Sequence, residues 1–216
     1  AQPILFSHFL LAHVEAFERD AARLGAVAAR ADSCPLGAGA FAGSTLPLDR
    51  QKLAQELGFE RLTANSIDAV GDRDFALEYL FALATLALHL SRLAEDFILL
   101  ATAEFGYLVL PDAFSTGSSM MPQKKNPDVA ELVRGRTGRL YGNLVAMLTT
   151  LKGLPLAYNR DLQEDKERLF DTADTVAACL DILAELVPRL HVNTERMRTA
   201  AVAGHTLATE LADYLA

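Results

Sequence analysis

The sequence predicts an all-α fold of long helices packed as a bundle, and three observations predict it. Apolar residues recur at helical spacing over most of the 216 residues. No run alternates apolar and polar residues as a half-buried strand does. Stretches rich in Gly, Pro and Ser, such as 32–49 and 115–128, separate the helical runs. With 51% hydrophobic residues, the chain has enough apolar surface for a sizeable core.

An Ala/Leu-rich amphipathic helix is expected over 5–30, and ADSCPLGAGAFAGSTLPLD ends it as a loop. Asp49 is placed to cap a short helix that closes near Gly58. TANSIDAVGDRD reads as a second loop, followed by a long helix over 73–105. Along that helix Glu78, Thr85, His89, Arg92 and Asp96 recur at steps of seven, four, three and four, one narrow polar stripe on an otherwise apolar rod. Such a rod needs protein on most sides, at the centre of a bundle or in an interface between copies. The same charges leave its longest uncharged part too short to cross a bilayer.

Two more long helices are expected. One runs over 127–152 with Pro127 in its first turn, where a missing N–H costs nothing. The other runs over 161–186 with a core face of Leu162, Leu169, Phe170, Ala173, Val176, Ala177, Leu180 and Leu183. Shorter helices follow Asn193 and Gly204. Ala1 has no initiator Met or capping residue before it, and ELADYLA carries no helix-stop signal, so both ends read as cut.

Composition excludes several function classes. A net charge of -8 and a sequence pI of about 5.1 argue against a nucleic-acid partner. Cys34 and Cys179 lie far apart with no C-x-x-C and no nearby histidine pair, so neither a disulfide framework nor a zinc site is expected, and a reducing, cytoplasmic setting fits. The opening residues lack the basic and small-residue features of a signal peptide. The five histidines form no H-E-x-x-H, so no metal site is expected, and nothing matches a phosphate-binding G-x-x-x-x-G-K-[ST].

The chemistry concentrates in STGSSMMPQKKNPD, residues 115–128, between two long helices. Gly117, Ser118 and Ser119 followed by Lys124 and Asn126 put hydroxyls, backbone N–H groups and a cation close together, a set able to hold a carboxylate or an enolate-like charge. From Gly117 to Arg160 there are seven basic residues (Lys124, Lys125, Arg134, Arg136, Arg139, Lys152, Arg160) against two acidic ones (Asp128, Glu131), which suits an anionic small-molecule substrate. On composition alone such a loop is more often a flexible connector, and a solvated helix face is the commoner place for most of Arg134, Arg136 and Arg139.

The string GSSMMPQKKNPD resembles the mobile-loop motif G-S-S-x-M-P-x-K-x-N of the aspartase/fumarase superfamily, whose members eliminate fumarate from succinyl-type substrates. The double lysine, the stretch NSIDAVGDRDF and above all YNRDLQEDKE resemble the argininosuccinate lyase branch, and the resemblance runs over nearly the whole chain. It implies reversible β-elimination of argininosuccinate to arginine and fumarate, with no cofactor. The other implied readings are a different fumarate-releasing lyase of the superfamily, or a crystallin-like structural relative without activity.

Carried over residue by residue, the resemblance makes Ser118 the base that takes the proton next to a carboxylate. An ordinary hydroxyl is a weak base, and the loop's N–H groups and Lys124 are the local means of activating it. Lys124 and Asn126 hold the substrate carboxylate and its doubly charged aci form, with Ser119 beside them. Tyr158, Gln163 and Lys166 bind the succinyl carboxylates, and Arg73 sits at a loop position associated with the site. Gln163 and Lys166, three apart, are expected on one side of the first turn of one helix.

Glu131 matches a carboxylate that orients a histidine, and the family's Thr-His-x-Gln that supplies it lies before the segment resembling AQPI. The resemblance therefore implies a central helical domain over 1–199, the start of a further helical domain over 200–216, and little activity for this chain by itself. It also implies a homotetramer whose long helices form one bundle.

Overall fold

A computed structural model describes residues 2–216; Ala1, at an end that reads as cut, lies outside them. The all-α class holds. The helices are α1 (Phe6–Ala31), α2 (Arg50–Glu56), α3 (Ser66–Gly71), α4 (Asp74–Leu100), α5 (Asp128–Leu151), α6 (Asp165–Leu186), α7 (Thr194–Val202) and α8 (Ala208–Leu215). Six two-residue strands accompany them: β1 (Ser33–Cys34), β2 (Arg61–Leu62), β3 (Leu108–Val109), β4 (Thr116–Gly117), β5 (Lys125–Asn126) and β6 (His191–Val192). β1 pairs in parallel with β2, while β3 pairs antiparallel with β6 and β4 antiparallel with β5. Strands this short have no alternation to read, and they tie loops together without building a sheet.

Local chemistry sets most boundaries. The Asp49 carboxylate accepts the Lys52 N–H at 3.0 Å and starts α2. Asn65 accepts the N–H groups of Ile67 and Asp68, and so nucleates α3 inside a stretch that reads as loop. Asn193 caps α7 in the same way. The Pro127 carbonyl accepts the Glu131 N–H, which puts Pro127 just before the first residue of α5.

α4 ends five residues earlier than its pattern suggests, at Leu100 and not 105. The Arg196 guanidinium donates to the carbonyls of Ala103, Glu104 and Phe105, and Gly106, at φ +58°, turns the chain away. A cap that arrives from so far along the chain leaves no local signal.

The chain divides into two compact units. The first holds the described residues up to Glu18, Ala87–Thr137 and the chain from Ala177 on; the second holds Arg19–Leu86 and Gly138–Val176. In the first, Phe97, Leu108, Ala130, Val133 and Thr137 are buried, and the Thr137 hydroxyl bonds the Ala87 carbonyl across α4 and α5. In the second, Ala76, Leu80 and Met147 form a core against Leu77, Leu144, Leu151 and Leu169. Truncating Leu80 to Ala there costs about 2 to 5 kcal/mol through lost transfer energy and the cavity left behind.

Two expected faces are rearranged. In α6, Phe170, Ala177 and Leu180 are exposed, whereas Thr172, Thr175, Val176, Cys179 and Leu183 are buried. The reason is a polar network: Asn143 of α5 donates to Asp171 at 2.8 Å and to Thr172 at 3.0 Å, and Arg139 reaches both Asp171 and Thr175. Hydrogen-bonded buried polar groups hold this face inward despite its modest hydrophobicity. In α4 the polar stripe is half-buried except at Arg92, with Glu78 paired to Arg30 and Asp96 to His13, and Glu95 next to it is paired to Arg134. The exposed strip of α4 is instead mostly apolar, with Phe81, Leu88 and Leu99 beside Arg92. No helix among the described residues is long and apolar enough to cross a membrane.

Candidate active site

In the first unit the motif loop is a hairpin. β4 and β5 pair Thr116 with Asn126 and Gly117 with Lys125, so residues 118–124 form the tip. Two bonds clamp its base. The Asp128 carboxylate, in the first turn of α5, accepts the Thr116 N–H at 2.6 Å, and Lys125 Nζ donates to Asp112 at 2.6 Å. Hydrogen bonding from Thr116 holds the Asp128 carboxyl below the usual carboxylate range, against a smaller opposing push from desolvation. The Lys125 hydrogen bond and charge do the same for Asp112.

Within the tip, Ser118 is half-buried and its Oγ accepts the backbone N–H groups of Met120 and Met121 at 3.2 and 3.1 Å. The Lys124 N–H closes the turn on the Met121 carbonyl at 3.0 Å. Ser119 and Lys124 are exposed. Behind the hairpin lies a cavity of about 520 Å³ whose wall carries Ser115, Lys125, Asn126 and Glu131 over a floor that includes Ile98 and Leu108. The structure thus brings Asn126 and Glu131 to one cavity, and puts Ser118 on a turn whose donors point at its oxygen.

In the second unit Gln163 Nε2 donates to the Tyr158 hydroxyl at 2.5 Å. Ala157, just before Tyr158, has φ +68°, a conformation that costs an L-residue about 1 kcal/mol. Asn159 stabilises the bend by donating to the Pro155 carbonyl at 2.9 Å. Gly71 leaves room for it, since a Cβ there would meet the Ala157 oxygen at 2.9 Å. Gln163 lies in a 3-10 turn, Arg160–Glu164, and Lys166 in the first turn of α6, so the two sit on different elements and not on one helical turn as their spacing suggests.

Arg73 Nε donates to Asp165 Oδ2 at 2.7 Å, and Lys166 Nζ donates to Asp165 Oδ1 at 2.9 Å. Asp165 is 8% exposed. Burial pushes its carboxyl up, but the hydrogen bonds and charges of Lys166 and Arg73 outweigh that and hold it below the usual range.

The sequence reading did not single out Asp112, Asp128 or Asp165. Asp128 could have been found as an acidic residue in the first turn of a helix. Asp165 stood inside the quoted run YNRDLQEDKE with no role attached to it, and Asp112 had nothing local, since its partner is thirteen residues away.

The family model for a lyase matches residues 1–142. The argininosuccinate lyase of Moorella thermoacetica is 58% identical over 100% of this chain, which covers 46% of that protein. The argininosuccinate lyase of Citrifermentans bemidjiense is 57% identical, again over 100% of this chain and 47% of that protein. The chain thus spans about half the length of these relatives. Among solved structures, an EDDS lyase double variant with bound fumarate superposes with a TM-score of 0.87 at 34% identity, covering 99% of this chain and 42% of that one. A fumarate lyase:delta crystallin from Brucella melitensis gives 0.84 at 27% identity, covering 100% of this chain and 50% of that one. With the hairpin motif in place and the lyase model matched over residues 1–142, the chain belongs to the lyase family of the aspartase/fumarase superfamily.

Proposed function

We propose that this chain supplies the base-bearing loop and the succinyl-binding residues of an argininosuccinate lyase, a carbon–nitrogen lyase of the cytoplasm. The observation that carries the reading is the Ser118 turn, in which two backbone N–H groups converge on the hydroxyl oxygen. Donors so placed stabilise negative charge on that oxygen, which is what a serine needs to act as a base. Ser118 takes the proton from the carbon next to a succinyl carboxylate. Lys124 and Asn126, with Ser119, hold that carboxylate as charge builds on it, and the carbon–nitrogen bond then breaks to give fumarate and arginine. Glu131 orients the histidine that protonates the leaving guanidine.

Tyr158, Gln163, Lys166 and Arg73 receive succinyl carboxylates. The 58% identity to a protein named argininosuccinate lyase supports this substrate over others of the superfamily. Self-association into a tetramer is part of the same reading, supported by the apolar strip that α4 leaves exposed.

Fumarate release from argininosuccinate, followed by absorbance, tests the reading on this chain alone and on the chain joined to the flanking segments of a full-length relative. Release by the joined protein is expected, with little from the chain alone. Release from adenylosuccinate, malate or aspartate in place of argininosuccinate would move the assignment to another superfamily lyase, and no release from any of them would leave the structural, crystallin-like reading.

A further inference from the structure

We propose that Asp165 is a positioning residue that holds Lys166 and Arg73 as one receiver for a substrate carboxylate; this rests on the lyase reading above. Asp165 opens α6 and is almost fully buried, yet its two oxygens are shared between two cations from different parts of the chain, Arg73 at 2.7 Å and Lys166 at 2.9 Å. One carboxylate against two cations leaves one positive charge in surplus. A purely structural ion pair has no need of the second cation.

The two cations are not equally enclosed. The Arg73 side chain is 17% exposed, whereas that of Lys166 is 55% exposed. The guanidinium is further fixed by donating to the Asp72 carbonyl, while an ammonium with one of its three hydrogens on Asp165 keeps two for a ligand. The contact draws Lys166 back toward the start of α6, beside the turn Arg160–Glu164 from which that helix continues. Gln163 lies on the turn that leads into the same helix end and donates to Tyr158, which precedes that turn. Without the Asp165 charge the two cations repel each other, and the flexible lysine stem moves into solvent.

The experiment uses the joined, full-length protein and four variants: Asp165→Asn, Asp165→Glu, Arg73→Met, and the charge-balanced Asp165→Asn/Arg73→Met, which leaves no buried cation unpaired and is compared with Arg73→Met so that loss of the arginine itself is separated from loss of positioning. KM and kcat are read on argininosuccinate, and fumarate affinity is read by titration calorimetry on the same samples. Asp165→Asn and the double variant are expected to weaken KM and fumarate binding by about tenfold or more, the loss of one charge-assisted contact, with kcat changed far less. Asp165→Glu should restore part of the affinity. Unchanged KM and fumarate affinity in the folded double variant relative to Arg73→Met would overturn the proposal while wild-type turnover upholds the lyase reading. Wild-type fumarate binding that the variants lose, without turnover of argininosuccinate, would uphold the proposal and overturn that choice of substrate. Wild-type protein that binds no fumarate would overturn the proposal.

Discussion

The Ser118 hydroxyl oxygen accepts the Met121 backbone N–H at 3.1 Å, and the Met120 N–H reaches the same atom. Both donors come from the turn that the serine itself starts, so the geometry travels with the loop and does not depend on an outside residue. Replacing Ser118 with Ala removes the acceptor but leaves both N–H groups on an exposed turn, where water takes over. Elimination in the full-length protein should fall by roughly a hundred- to ten-thousand-fold in kcat, the usual contribution of a positioned base, with the helical circular-dichroism signal unchanged. Near-normal turnover by the variant would remove Ser118 from the mechanism.

The adjacent lysines should behave differently. Lys125 is paired across the hairpin with Gly117 and its ammonium is held by Asp112. Lys124 lies instead on the turn at the tip, exposed, and it is Lys125 that bonds Asp112. Lys124→Met should lower kcat by about a hundredfold or more, as expected for the loss of a group that stabilises charge appearing in the transition state. Lys125→Met should cost far less turnover, because exposed ion pairs contribute little stability, and should act mainly on the loop. Limited proteolysis within 118–124 checks this: cleavage should quicken in the Lys125 variant and not in the Lys124 variant.

How much of this was legible follows from where each interaction originates. Asp49, Asn193 and the hairpin motif are local, and their positions in the structure agree with the sequence pattern. The end of α4 was misplaced because Arg196 caps it from a distant segment, and α3 was missed because one asparagine cap sufficed to fold six residues. The α6 face was misjudged for a different reason. Apolar periodicity ranks Phe170 and Leu180 above Thr172 and Thr175, but Asn143 and Arg139 supply partners that make the threonines the better buried face. In the candidate site the residues carried by motif were legible, whereas Asp165 came into view only when Arg73 and Lys166 were seen on its two oxygens.

The Asp165 cluster should hold until the pH falls below the ordinary carboxylate range. Its carboxyl is held below its ordinary pKa of 3.8, so the stability it lends is present above that value and is lost as the pH falls below it. Thermal melting of the chain from pH 6 down to pH 2.5 should steepen below about pH 4 as the carboxylate takes up a proton and releases Arg73. Asp165→Asn should be less stable by about 2 to 3 kcal/mol at neutral pH, with a flatter acid limb, because its missing charge is no longer there to titrate. Parallel acid limbs for variant and wild type would mean that other carboxylates govern the transition.

The exposed strip of α4 makes the last prediction. Phe81 is 56% exposed, Leu88 42% and Leu99 45%, on a helix whose other sides are largely buried. Glu78, Glu95 and Asp96 are engaged by Arg30, Arg134 and His13, which leaves Arg92 as the exposed charge beside this strip. Phe81 and Leu88 lie seven residues apart, the spacing at which a helix presents the same side to a partner helix. A second copy offering its own α4 would remove both from water, worth about 1.5 to 3 kcal/mol for each side chain fully buried. Phe81→Glu or Leu88→Glu would put a charge into that contact at a cost the contact cannot recover. Light scattering at micromolar concentration should therefore give an oligomer for the native sequence and a smaller species for either variant, with the helical signal retained. A native chain that scatters as a monomer, or variants that assemble as well as it does, would mean that α4 is covered by something other than a copy of itself.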